Sequence, residues 1–200
     1  MRIKKLFLPV VIILGMGLMF QGCNKIVDES TSGTKLIVTK VTGINWEDKE
    51  SSILYSDVLV QKGDTAATVQ DDLAKIYMIA TPYSPVVETT SIYYDVILNK
   101  YHVKYVRTDG RNVEGVDVPR AFWGSMTARI VADGDEHNVS IIVVRANAKM
   151  ERPLVELRYL GDEKEIECTA EIELYGEDLG GHSVYVKANL PIVFANFANE

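Results

Sequence analysis

The sequence predicts an all-β chain folded as a single antiparallel β-sandwich of about eight strands. Three observations carry that expectation. Residues 165–175, EIECTAEIELY, put Ile166, Cys168, Ala170, Ile172 and Leu174 on one face and Glu165, Glu167, Thr169, Glu171 and Glu173 on the other. A helix would scatter those glutamates around its circumference, whereas a strand with one wet face sorts them. Segments of the same kind, rich in Val, Ile, Thr and Tyr, recur from Lys35 onwards with turn signals between them. No long helical period and no internal repeat interrupts the series.

In chain order the expected strands are 35–42, 52–60, 72–81, 91–107, 122–131, 138–146, 165–175 and 183–197. The segment DDLAKIYMIA would also suit a helix capped by Asp71, but Ala74, Ile76, Met78 and Ala80 alternate, which favours a strand. Residues 91–107 are too many for one plain strand, so Asn99-Lys100 marks a bulge or a switch between sheets. Lys62-Gly63-Asp64, Asp109-Gly110, Asp133-Gly134-Asp135 and the run from Gly176 to Gly181 supply turns. If successive strands alternate up and down, loops 43–51, 82–90, 132–138 and 176–182 gather at one end and concentrate negative charge there.

The last hairpin, AEIELYGEDLGGHSVYVKANLPIVF, closes through Asp178-Leu179-Gly180-Gly181-His182. It resembles the closing strand pair of bacterial immunoglobulin-like domains, which implies an immunoglobulin-like sandwich over residues 35–200. Residues 105–119, YVRTDGRNVEGVDVP, are similar to a loop of uncharacterised bacterial lipoproteins, and that likeness implies no activity.

The N-terminus has a different character. Arg2, Lys4 and Lys5 precede 15 uncharged residues, Leu6 to Phe20, and Gln21-Gly22-Cys23 ends the segment. A basic start, a short apolar stretch and a small residue before the cut describe a secretory signal peptide. The run is short of the ~20 apolar residues that span a bilayer. Leu18-Met19-Phe20-Gln21-Gly22-Cys23 resembles a bacterial lipobox, with Phe20 and Gln21 departing from the usual Leu and small residue. The resemblance implies cleavage after residue 22 and acylation of Cys23, a lasting attachment when several chains are present. Asn24, rather than Asp, follows the cysteine, which by the same resemblance points to the outer membrane. The polar residues 24–34, NKIVDESTSGT, then form a tether spanning about 18 Å. The expected division is signal 1–22, lipidated Cys23 and tether to 34, and sandwich 35–200.

Composition narrows function mainly by exclusion. Residues 1–22 carry three of the 21 basic residues and none of the 28 acidic ones, so the remainder stands at about −10. A chain this acidic does not suit nucleic acid, and it does not adsorb broadly to anionic lipid. With Cys23 acylated, Cys168 has no disulfide partner, and it reads as a buried thiol on an apolar strand face.

Catalytic patterns are missing from the sequence. There is no Gly-x-Ser-x-Gly, no Cys-x-x-Cys and no His-Glu-x-x-His, and the chain has only three histidines, His102, His137 and His182, with His102 inside an expected strand. The expected function is therefore a non-catalytic accessory or binding module, lipid-anchored in the bacterial cell envelope and working with an envelope protein partner. A second reading is a domain that binds Ca²⁺ or a glycan at the acidic pole, with Asp133, Asp135 and Asp178 as ligands for the hard cation. Trp46 and Tyr83, on loops, are the expected partner or ligand surface, while Trp123 is expected in the core.

Overall fold

The period-two pattern resolves into nine strands in two sheets. The computed structural model describes residues 32–61, 66–83, 92–159 and 164–197. The first sheet comprises β1 (Thr34–Ile44), β2 (Glu50–Ser51), β4 (Asp72–Pro82) and β7 (Glu136–Val144), in the order β2–β1–β4–β7 and antiparallel throughout. The second comprises β3 (Leu54–Asp57), β5 (Val96–Val106), β6 (Phe122–Ile130), β8 (Ile166–Asp178) and β9 (Ser183–Ala195), in the order β3–β9–β8–β5–β6. Its pairs are antiparallel except at one edge, where β3 runs parallel to β9. An all-β sandwich is what the sequence predicts; the parallel edge and the ninth strand are not.

Alternation does what the sequence asks of it. In β4, Ala74, Ile76, Met78 and Ala80 are all buried between half-buried neighbours, so the segment is a strand and not a helix. In β8 the five expected apolar residues are buried. Burial also pushes the Cys168 thiol up to about 12, which leaves it protonated and inert at neutral pH. The register of β5 slips between Leu98 and Lys100 against both β6 and β8, which places the bulge at Asn99.

Several boundaries differ from expectation. The expected strand 52–60 shortens to β3 (Leu54–Asp57), and an additional two-residue strand, β2 (Glu50–Ser51), precedes it in the other sheet. The chain crosses between sheets at 52–53, passing so close to β1 that a Cβ on Gly43 would lie 2.5 Å from Leu54 Cβ. β8 continues through Gly176, which the sequence reading placed in a turn, and the turn starts at Asp178. β7 begins at Glu136, and a 3₁₀ turn (Ile92–Tyr94) precedes β5. The long loop after β7 holds a 3₁₀ turn (Ala148–Met150) and a one-turn helix, α1 (Leu154–Leu157), which strand periodicity cannot signal.

Ordered packing begins before residue 35. Ser32 and Thr34 are buried, and the Ser32 hydroxyl donates to Asp178 Oδ2 at 2.7 Å. Residues 1–31, on which the expected signal, the Cys23 lipidation and most of the expected tether fall, lie outside the described residues.

Registers fix the two ends. Ile44 pairs with Leu73, so the turn at 45–49 shares an end with the start of β4. Thr34 pairs with Pro82 and Ile79 with Glu136, putting Tyr83 and residues 131–135 at the opposite end. The Ser32–Asp178 bond and the contacts of Asp95 with Ala132 and Leu179 bring the last turn there too. Strict alternation therefore fails at the first loop. Because the extra strand β2 comes between β1 and β3, the loop 43–51 carries Glu47, Asp48 and Glu50 away from the other acidic turns.

Candidate functional site

The outward face of the second sheet carries an aromatic ladder. Register sets it: Trp123 on β6 stands opposite His102 on β5, His102 opposite Glu173 on β8, and Glu173 opposite Lys187 on β9. The adjoining row runs Lys100, Tyr175, Tyr185 across β5, β8 and β9. Directly opposed side chains on one face lie close enough to touch, and here they do. Ring centroids of His102 and Trp123 are 4.6 Å apart, Trp123 and Tyr175 5.4 Å, and Tyr175 and Tyr185 5.0 Å, with tilts of 31°, 37° and 43°.

Cations cap the stack. Lys100 Nζ lies 5.6 Å from the Trp123 ring centroid and 5.4 Å from that of Tyr175, and Lys187 Nζ lies 5.7 Å from that of Tyr185. A Cβ on Gly124 would strike the Tyr101 ring at 2.1 Å, so the glycine lets that inward tyrosine pack beneath the β6 backbone beside Trp123.

Glu173 ties the rings together. Tyr175 donates to its Oε2 at 2.7 Å, Tyr185 donates to its Oε1 at 2.8 Å, and Lys187 lies 3.0 Å from the same Oε1. His102 Nδ1 approaches Oε2 at 3.5 Å. The Tyr175, Tyr185 and Lys187 donors hold the Glu173 carboxyl down at about 2, and the Tyr175 phenol, donating to a fixed carboxylate, is pushed up to about 12. The hydroxyl groups of both tyrosines are thus occupied within the face. What is left to solvent is ring surface: Trp123 is 54% exposed and Tyr185 47%. Two large rings held rigid by their neighbours lose little entropy when a partner covers them.

The residues expected to form a site stand at several places in the fold. Trp46 is half-buried in the β1–β2 turn, whereas Tyr83 is 65% exposed just beyond β4. They flank opposite ends of the 11-residue β1, about 30 Å apart at ~3.3 Å per residue. Trp123, expected in the core, is outside because its neighbour Phe122 takes the inward position. Asp133 accepts from the Asp135 amide at 2.9 Å and lies 3.0 Å from His137 Nε2. Asp178 is buried and accepts from Ser32, the His182 amide and the His182 ring. These carboxylates have protein partners, and among the described residues no three His, Cys, Asp or Glu side chains converge as cation ligands.

One part of the ladder was open to the sequence. Tyr175 and Tyr185 are equidistant from Gly180, so a hairpin closing there must pair them. The Trp123–His102 pair depends on the bulge at Asn99 and a 15-residue connection between β5 and β6, which no local pattern sets.

Comparison with known proteins finds no matching family model, no matching curated protein and no matching solved structure.

Proposed function

We propose that the chain is a lipid-anchored, non-catalytic binding module of the bacterial cell envelope, and that the aromatic face of its second sheet is where an envelope protein docks. The prebuilt stack of His102, Trp123, Tyr175 and Tyr185 carries this reading. Interface hot spots are enriched in Trp and Tyr, and a charged rim of Lys100 and Lys187 around buried-capable rings matches their usual surroundings. The lipobox-like Leu18 to Cys23 supports an acyl anchor in the outer membrane.

The sandwich is of the immunoglobulin-like kind in this reading. Its strand order supports that assignment: β1, β4 and β7 take the places of strands A, B and E, while β5, β8 and β9 take those of C, F and G. The inter-sheet disulfide of antibody domains has no counterpart, since Cys168 is a free thiol.

The test uses the full chain expressed in a bacterial envelope. The wild type is expected to partition into detergent, and Cys23→Ser is expected to stay in the aqueous phase. Affinity capture from solubilised envelope should return a stoichiometric partner with the wild type and lose it with the Trp123→Ala/Tyr185→Ala double variant. Equal capture by both would remove the aromatic face from the account.

A further inference from the structure

A second concentration of charge lies inside the protein. Lys149, in the 3₁₀ turn that follows β7, has a side chain 0% exposed with Nζ 2.8 Å from Asp72 Oδ2, on a carboxylate that is 2% exposed. Ser56 donates to that same oxygen at 2.6 Å. Asp57, beside Ser56 on β3, is buried as well. Its Oδ1 accepts from the Leu59 amide at 3.2 Å, while Oδ2 is buried with no hydrogen-bond partner. Asp57 acts electrostatically on both Lys149 and Asp72. The buried ring of Tyr105, anchored by its hydroxyl to the Val143 carbonyl at 2.7 Å, lies within electrostatic reach of Asp72.

A permanent ion pair is a poor explanation of this arrangement. Desolvation of two buried ions offsets most of their attraction, and well-packed apolar residues would serve the fold as well or better. Two carboxyls also face a single ammonium, so charge does not balance unless one carboxyl keeps its proton. Burial pushes Asp57 in that direction, and it raises Asp72 too despite the neighbouring ammonium. The Lys149 Nζ lies against the Asp72 carboxyl as a buried ion pair.

We propose that Lys149 and Asp72 condense into an intramolecular isopeptide bond, with Asp57 as the proton shuttle. One proton passes from the Lys149 ammonium to the Asp72 carboxylate, giving a neutral amine and a neutral acid. The amine lone pair attacks Asp72 Cγ, and the N–C bond forms. Protonated Asp57 gives its proton to the departing oxygen and takes one from the nitrogen in exchange. The Cγ–O bond breaks and one water leaves. Ammonium plus carboxylate become amide plus water, with no change of oxidation state and no co-reactant.

Two features of the site favour that reaction. Reacting groups held in contact have effective concentrations far above those reached in solution. A dry site penalises the charged reactants, but not the neutral amide, and the released water is lost to bulk solvent. The bond would join the first residue of β4 to the turn after β7, fastening the end of the first sheet where β3 crosses to the second.

The measurement is peptide mapping of the full chain, digested under denaturing conditions, because N-terminal processing does not affect internal peptides. The expected result is a branched species joining the Asp72 and Lys149 peptides, lighter than their sum by one water. Lys149 should stay unlabelled by an amine-acylating reagent in denaturant. Linear peptides with a fully labelled Lys149 would overturn the proposal, whatever the variants do. Lys149→Met and Asp72→Ala should abolish the branched species. Asp57→Asn should fold but yield mainly linear peptides; a fully linked Asp57→Asn protein would remove the shuttle role assigned to Asp57.

Discussion

The hydroxyl of Ser32 donates to Asp178 across 146 residues of sequence, joining the entry of the first sheet to the closing turn of the second. Both residues are buried, and the Ser32 hydroxyl also accepts from the Thr34 amide at 2.9 Å. Burial opposes ionisation of Asp178, but the His182 amide, the Ser32 hydroxyl and the His182 ring outweigh it and hold its carboxyl below the usual range. Ser32→Ala removes one donor from a buried charge and is expected to cost roughly 1–3 kcal/mol in urea denaturation. A loss below about 0.5 kcal/mol, the size of a neutral surface change, would mean that the fold starts after Ser32.

Glu173 gives a pH signature. Its folded-state value is depressed to about 2 from an ordinary 4.5, so its stabilising contribution is complete above the ordinary value. That contribution is lost as pH falls from there through about 2. Carboxyl-detected NMR should find the Glu173 midpoint near 2, and Tyr175→Phe/Tyr185→Phe should move it up towards the ordinary value. A wild-type midpoint already in the ordinary glutamate range would mean that the tyrosine hydroxyls do not hold the carboxylate in solution.

How much of this was legible in the sequence depended on range. Strands with one apolar face announced themselves, because alternation is a local property; β4 and β8 were readable residue by residue. The bulge at Asn99 was visible as a strand too long for its pattern. The β2–β3 crossing was not, since Glu50 to Asp57 contain nothing that says which sheet each half joins. Trp123 was misread for a similar reason: adjacent Phe and Trp must face opposite ways on a strand, and the sequence does not say which goes in. The Asp72–Lys149 contact joins a strand start to a loop turn 77 residues away, a pairing set only by tertiary packing.

The two faces of β8 should respond oppositely to truncation. Ile172 is fully buried opposite Ala188 and Val103, and Ile172→Ala is expected to cost roughly 2–5 kcal/mol. Glu171, one residue away, is exposed between Lys104 and Asn189, and Glu171→Ala should stay within about 0.5 kcal/mol. Equal costs in chemical denaturation would mean that the register of β8 is wrong by one residue.

Gly176 is the sharpest steric test of the second sheet. It pairs with Leu98, immediately before the slip in β5, and a Cβ there would lie 2.2 Å from the Ile97 carbonyl oxygen and 2.9 Å from Leu98 Cα. Those atoms are backbone, held by the ladder on both sides, so they have no rotamer to change. Gly176→Ala is therefore expected to reach or exceed the upper part of the overpacking range, about 3 kcal/mol. Gly110 is the control. Its φ of +81° strains any side chain, but nothing lies within 4 Å of an added Cβ, so Gly110→Ala should cost only about 1–2 kcal/mol. Thermal or urea denaturation of the two variants fixes the order. If Gly176→Ala is the milder change, β8 and β5 do not approach as closely as the bulge at Asn99 requires.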